Sequence, residues 1–324
     1  IEVFDWSINR SGLNVFSEIK SIYSLMSLIK KINPDILHAV ALKPVIYSSI
    51  ASIFANINVM VHALGGLGYF FSSNLISARI ARPILLNILR LSFKGSNVRL
   101  ILQNCDDRDL FISLKIINPK KVVLIKGAGV NINEYYPSKL TKDMPVIILP
   151  ARMLWDKGIA EFIECAKRFN ENGIKARFCL IGAPDLHNPQ SVTMSQLNNW
   201  VDKGVVEWWG HQKNMIEVYS KASIICFPSY REGLPKSLLE AASCGLPIVA
   251  FDVPGCREVV KDGVNGYLVS LKDVDSMYKA LLRLVKDQNA SYIMGLNGRD
   301  LVVKEFSETI IAAQTLKVWN EVKY

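Results

Sequence analysis

Two glutamates, Glu232 and Glu240, stand eight residues apart in Arg231-Glu232-Gly233-Leu234-Pro235-Lys236-Ser237-Leu238-Leu239-Glu240-Ala241. The first sits on a Gly-Leu-Pro turn, and the second falls inside a short helical pattern. Upstream, Cys226-Phe227-Pro228-Ser229 ends an apolar run that reads as a strand. Downstream, Gly245-Leu246-Pro247 closes the helix ahead of a second apolar run, Ile248 to Phe251. Proline suits the first turn of a helix, because its missing N–H would be unpaired there anyway. Pro235 therefore starts a helix whose free N–H groups face a strand end, an arrangement in which α/β proteins hold anions and nucleotides. Glu232 lies at the mouth of such a site. Glu240, about two turns further along the helix, is placed to accept hydrogen bonds from a diol such as ribose.

A bare pair of glutamates carries little weight in a chain with 29 acidic residues, and its plain reading is a solvated helix face. The surrounding string is much rarer: strand, Pro-Ser-x-Arg-Glu-Gly-x-Pro, helix, Gly-x-Pro, strand. It resembles the donor-site signature of the retaining family 4 glycosyltransferases. That resemblance implies an α/β chain of the GT-B type, with two facing Rossmann-like domains built on parallel sheets. It also implies a nucleotide-sugar donor, with Glu232 orienting the transferred sugar, Glu240 on the ribose, and Gly233, Leu234 and Pro235 forming the turn around the donor.

Other segments fall into the same register. Pro150-Ala151-Arg152-Met153-Leu154-Trp155-Asp156-Lys157-Gly158 follows the apolar run Val146 to Leu149 and precedes the helical pattern Ile159, Phe162, Ile163, Ala166, Phe169. In the family an Arg and a Lys at this spacing grip the donor diphosphate, and Arg152 and Lys157 match them. A departing nucleoside diphosphate gathers negative charge, which two fixed cations stabilise. The family's usual glycine before the arginine is Ala151 here. Val205 to His211 reads as a strand and turn, and the resemblance assigns Gly210 and His211 to the nucleobase. Asn58-Val59-Met60-Val61-His62 is an apolar run ending in histidine. By resemblance, His62 ends a strand and faces the donor sugar across the cleft as a second catalytic candidate; the alternative is a structural histidine. Gly65-Gly66-Leu67-Gly68 is spaced G-G-x-G, not G-x-G-x-x-G, and no acidic residue follows until Asp106. It is therefore not a dinucleotide fingerprint.

Length and patterning agree with two domains. The chain has 324 residues, half of them hydrophobic, and strand-length apolar runs alternate with helical patterns. The expected division is an acceptor-binding domain over 1–140, a nucleotide-sugar-binding domain over 141–306, and a helix over 307–324 that crosses back to the first domain. The proline-flanked stretch from Pro137 to Pro145 marks the boundary. Three strands are expected before Gly65, around Ile1 to Phe4, Asp35 to Ala39 and Ile57 to Val61. The family pattern begins earlier, with a strand and glycine-rich turn that this reading does not find.

Six cysteines lie singly, without any C-x-x-C pair, which reads as free thiols in a reducing cytoplasm. The four histidines are far apart in sequence and no D-x-D motif sits after an obvious strand, so no metal cluster is apparent, and the resemblance implies metal-independent transfer without a cofactor. Charge is uneven. Residues 1–140 carry 16 Lys+Arg and 8 Asp+Glu, and no acidic residue occurs between Ile36 and Cys105. In that stretch Arg79, Arg82, Arg90, Lys94 and Arg99 interleave with large aliphatics. This is either a surface lying on anionic lipid or an ordinary amphipathic helix with a basic outer face. Aromatic residues for stacking bases are sparse there, which argues against nucleic acid. The uncharged run Pro44 to Ala78 is long enough to span a bilayer, but serines, asparagines and Gly65-Gly66 interrupt it, and a buried helix, strand and loop explain it better.

The resemblance is strongest to bacterial members that build lipid-linked surface polysaccharides. It implies a hexosyl or N-acetylhexosaminyl transferase that uses a UDP-sugar and a polyprenyl-diphosphate-linked saccharide, peripheral on the inner face of the cytoplasmic membrane. A sugar-nucleotide epimerase of the same fold and a catalytically inactive subunit stay open beside it.

Overall fold

The computed structural model describes residues 2–8, 15–65, 76–138, 144–185 and 187–323. Gly66, Gly68 and most of the Pro137–Pro145 stretch lie outside them, as does the side chain of Arg79. Two compact units emerge, Ile1–Ile125 with Ala313–Tyr324, and Lys126–Ala312. The division falls ahead of the proline-flanked stretch. Residues from Lys126 onward join the second unit because Val130 is buried there and pairs with Phe306 and Glu308 through backbone hydrogen bonds of 3.0 Å each.

The first unit holds four parallel strands in the order β1 (Leu37–Val40), β2 (Met60–Leu64), β3 (Val98–Leu102) and β4 (Val122–Leu124). Helices α1 (Val15–Ile32), α2 (Leu42–Ala55), α3 (Ile76–Ser92) and α4 (Cys105–Ser113) alternate with them. Parallel neighbours need crossover connections, and helices on the faces leave the strands largely apolar, with His38, His62 and Arg99 as exceptions. Leu64, Leu89, Val98, Leu100 and Phe111 form the core. Residues 2–8 carry no strand, contrary to the expectation for Ile1 to Phe4: Val3 is 86% exposed, and it is Trp6 and Ile8 that pack, on the cluster of Leu25, Ile29, Tyr47 and Ile57.

The second unit holds six strands: β5 (Val146–Pro150), β6 (Arg177–Ile181), β7 (Glu207–Gly210), β8 (Ile224–Phe227), β9 (Ile248–Phe251) and β10 (Gly266–Val269). They pair in parallel in the order β10-β9-β8-β5-β6-β7. Helix α5 (Ile159–Glu171) buries the stripe Ile159, Phe162, Ile163, Ala166 and Phe169 that its spacing predicts. Helices α6 (Met194–Asp202), α7 (Met215–Lys221), α8 (Lys236–Ser243), α9 (Cys256–Val259), α10 (Val274–Lys286) and α11 (Gln288–Glu305) follow, and α12 (Glu308–Lys323) ends the description. The chain winds outward from β5 through β6 to β7, then restarts at β8 on the other side of β5. A doubly wound sheet of this order opens a crevice at the carboxyl ends of the two strands where direction reverses, here β5 and β8.

Candidate active site

At that reversal point β5 leads to a short 3-10 turn, Trp155–Lys157, and β8 leads to the loop before α8. Gly158 joins them. Its φ is +73°, and a Cβ placed there would stand 2.1 Å from the carbonyl oxygen of Pro228. Only glycine permits that approach. The Tyr230 N–H donates to the Asp156 carbonyl (2.9 Å), and its hydroxyl donates to Glu161 Oε1 at 2.6 Å. The loop is thus fixed at both ends of Tyr230. Gly255, φ +80°, packs against the carbonyl of Gly233, where a Cβ would come within 2.4 Å.

This framework brings Lys157 and Glu232 together. Lys157 Nζ lies 2.7 Å from Glu232 Oε1, and the Ser229 hydroxyl donates to the same oxygen at 2.7 Å. Both side chains of the ion pair are less than a fifth exposed, at 17% and 16%. Pro235 caps α8 with extended backbone and accepts from the Leu238 N–H at 3.1 Å. Gly233 and Leu234 form the turn before it, and Leu234 packs on the core.

Glu240 serves a different space. A cavity of about 690 Å³ is lined by Pro150, Arg152, Gly182, Asp185, His211, Tyr219 and Glu240, among others. Such a volume suits a nucleotide-sized ligand. Glu240 is buried, with Oε2 3.0 Å from the Tyr219 hydroxyl and Oε1 3.5 Å from Lys236 Nζ. Burial, then the Glu240 charge, push the Tyr135 phenol up to about 12 and that of Tyr219 well above its usual value. Both stay protonated at neutral pH, and Tyr219 serves Glu240 as a hydrogen-bond donor. Arg152 lines the same cavity, 62% exposed, with Nη1 3.0 Å from Asp185 Oδ2. His211 reaches the cavity as well. Gly210, φ +69°, turns the chain behind it, and its carbonyl accepts from the Gly182 N–H (2.8 Å). Arg152, His211 and Glu240 therefore converge, whereas Lys157 and Glu232 form their own half-buried pair. A second cavity, about 490 Å³, lies beside edge strand β7. Its charges are paired off, Arg177 with Glu207 and Lys221 with Glu217.

The structure corrects the placement of His62. Its strand runs Met60–Leu64, so the residue is mid-strand, opposite Ala39 and Leu100, and fully buried. Ser49 Oγ lies 2.7 Å from the Val45 carbonyl and 3.3 Å from His62 Nε2. With the serine proton spent on the carbonyl, His62 donates from Nε2 and leaves Nδ1 without a partner. Desolvation, with a smaller contribution from His38, lowers its pKa to about 4. The ring packs edge-on to Phe93 at 5.7 Å between centroids. A neutral histidine in this setting fills the core.

The basic stretch is divided. Arg90 is exposed, but its guanidinium donates to the carbonyls of Leu114 (2.8 Å) and Lys115 (3.3 Å). Arg99 belongs to β3. Ile84, Leu91 and Lys94 remain on the outside of α3 and the turn after it, with Ile84 63% and Leu91 69% exposed. Among the described residues no helix is long and apolar enough to cross a membrane. The six cysteines are free thiols, five of them buried.

Sequence reasoning missed Ser229, Tyr219, Tyr135 and Asp185 as site residues. Ser229 had a signal, a polar residue at the mouth of a wholly apolar strand. The two tyrosines had none, since they approach Glu240 from distant parts of the chain.

Comparison with known proteins places this geometry. Residues 144–287 match the family model described as "Glycosyl transferases group 1", and residues 1–104 match "Glycosyl transferase 4-like". The chain thus carries a glycosyl transferase group 1 domain and a GT4-like domain. Among curated relatives, the N,N'-diacetylbacillosaminyl-diphospho-undecaprenol alpha-1,3-N-acetylgalactosaminyltransferase of Campylobacter jejuni is 27% identical, covering 99% of this chain and 86% of its own. The UDP-Gal:alpha-D-GlcNAc-diphosphoundecaprenol alpha-1,3-galactosyltransferase of Escherichia coli is 28% identical over 91% of this chain and 78% of its own. Among solved structures, sucrose-phosphate synthase from Thermosynechococcus elongatus superposes with TM-score 0.83 at 19% identity, over 98% of this chain and 80% of that one. Anabaena HepE in complex with UDP gives 0.79 at 16% identity, over 94% and 84%. These likenesses show the GT-B fold, with its two parallel-sheet α/β domains.

Proposed function

We propose that this glycosyltransferase moves a hexosyl or N-acetylhexosaminyl group, with retention of configuration and without a metal, from a UDP-sugar to a polyprenyl-diphosphate-linked saccharide in surface polysaccharide synthesis. The observation that carries the donor reading is the cavity in which Arg152, His211 and Glu240 converge beside the carboxyl ends of β5 and β6. Glu240, oriented by Tyr219, accepts from the ribose hydroxyls. Arg152 and Lys157 meet the diphosphate, His211 and the Gly210 turn meet the base, and the N–H groups after Gly233-Leu234-Pro235 add a dipole directed at the same charge.

The chemistry that follows is a front-face displacement. The bond from the anomeric carbon to the diphosphate oxygen breaks, its electron pair goes to the diphosphate, and that oxygen takes the proton of the acceptor hydroxyl as the new bond forms on the same face. Glu232, paired with Lys157, holds the sugar by its hydroxyls. His62 takes no part in this scheme because it is buried.

The acceptor reading draws on the Campylobacter and Escherichia relatives, whose names specify undecaprenyl-diphosphate acceptors. The exposed Ile84, Leu91 and Lys94 support a peripheral seat on anionic lipid at the cytoplasmic face of the membrane. Titration with UDP tests the donor roles. Glu240→Gln weakens UDP binding, whereas Glu232→Gln leaves it nearly intact and slows transfer. Equal loss of UDP affinity in both variants refutes the assignment, and a strict need for a divalent cation in transfer refutes metal independence.

A further inference from the structure

The donor cavity contains a carboxylate that its ligand does not call for. Glu240 has the ribose and Arg152 the diphosphate, but Asp185 sets a negative charge in a site read as binding a polyanion. Its Oδ2 is 3.0 Å from Arg152 Nη1, where a phosphate oxygen would otherwise sit. The fold holds it there. The Asp185 N–H donates to Ser191 Oγ at 3.0 Å, and its carbonyl accepts from the Asn188 N–H at 2.8 Å. The loop is tied to the segment after β5 that carries Arg152: Met153 N–H donates to the Ala183 carbonyl (3.1 Å) and Val192 N–H to the Met153 carbonyl (2.9 Å). These bonds anchor the backbone that presents the carboxylate to Arg152.

We propose that Asp185 sets how tightly the donor site holds a diphosphate. Its carboxylate occupies Arg152 in the empty site, yields that cation to an incoming nucleoside diphosphate, and reclaims it as the product diphosphate leaves. The inference rests on the donor reading above. The pair is only partly shielded, with side chains 62% and 32% exposed, so the exchange is inexpensive and the effect on affinity is modest. The carboxylate favours turnover, since a site without it retains the product.

Calorimetric titration of UDP and of uridine into the wild type, Asp185→Asn and Asp185→Glu decides the matter. Asp185→Asn should bind UDP about three- to tenfold more tightly, bind uridine as the wild type does, and show stronger product inhibition by UDP. Asp185→Glu, which keeps the charge, should not gain UDP affinity. Unchanged or weaker UDP binding by Asp185→Asn, or an equal gain for uridine, overturns the inference while leaving the donor reading intact. Failure of the wild type to bind UDP overturns both.

Discussion

Protonation of His62 should unfasten the first unit in mild acid. The imidazole is fully buried, and protonation would place a charge and an N–H at Nδ1, which has no partner. Its pKa falls from 6.5 to about 4. Between these values the unfolded chain binds the proton and the folded chain does not, so stability rises with pH across the window. Above 6.5 there is no penalty, and as pH falls toward 4 the loss grows. At about 1.4 kcal/mol per pH unit the gap is worth about 3 kcal/mol. His38, also lowered by burial, adds to the same trend. Hydrogen-exchange protection of β2 and β3 amides, corrected for intrinsic pH dependence, reads the first unit without requiring the whole chain to unfold in one step. His62→Phe keeps the ring, and the Ser49 hydroxyl retains its bond to Val45. The variant should match the wild type within about 1 kcal/mol at neutral pH, lose about 3 kcal/mol of the acid sensitivity, and retain sugar transfer. An unaltered acid slope, or abolished transfer in a stable variant, would refute the structural account of this residue.

The two cations assigned to the diphosphate should behave differently. Arg152→Ala costs about tenfold in UDP affinity with little change in stability, since its side chain is 62% exposed. Lys157→Ala costs similar affinity and also about 1–3 kcal/mol of stability, because Glu232 loses its counter-ion; UDP titration with thermal melts of both variants separates them. Gly158→Ala, forced against the Pro228 carbonyl at positive φ, should lose about 2 kcal/mol or more together with transfer activity, and wild-type stability in that variant would contradict the packing. Sedimentation with anionic vesicles should be lost when Ile84 and Leu91 become Ser and Lys94 becomes Glu, with UDP affinity retained. Equal sedimentation with neutral vesicles would remove the electrostatic basis for that seat.

Prolines and glycines made much of the second unit legible. Pro228, Gly233-Leu234-Pro235 and Gly245-Leu246-Pro247 punctuate strand, helix and strand so closely that β8, α8 and β9 could be laid out from residue types, and Glu232 and Glu240 placed on them. The family resemblance singled out Arg152 and Lys157 as candidates for the diphosphate. It could not show that each cation is held by a carboxylate, since Asp185 and Glu232 come from other loops. The first unit was harder to read. Its second strand was expected over Ile57 to Val61 but runs Met60–Leu64. That small slip moved His62 from a strand end to the interior, because a strand buried on both faces lacks the polar alternation that would have fixed its register. The division at Ile125 was hidden for another reason. Val130 reads as one more apolar residue until Phe306 and Glu308 are seen to hold it.

Helix α12 completes a unit that the chain began long before. Ile1–Ile125 precedes the whole of the second unit, and Ala313–Tyr324 returns to the first. There Trp319 donates its indole N–H to His38 Nδ1 at 3.1 Å, and Val318 and Val322 are buried. On the ribosome, roughly 190 residues separate the two parts, which at about 5–20 residues per second is about 10–40 s of synthesis. During that interval the contiguous second unit can fold whole, while the first waits with the seat of Trp319 uncovered. The order of emergence is therefore the reverse of the order of completion. Its earliest strands are thus the ones that stay longest without their full packing.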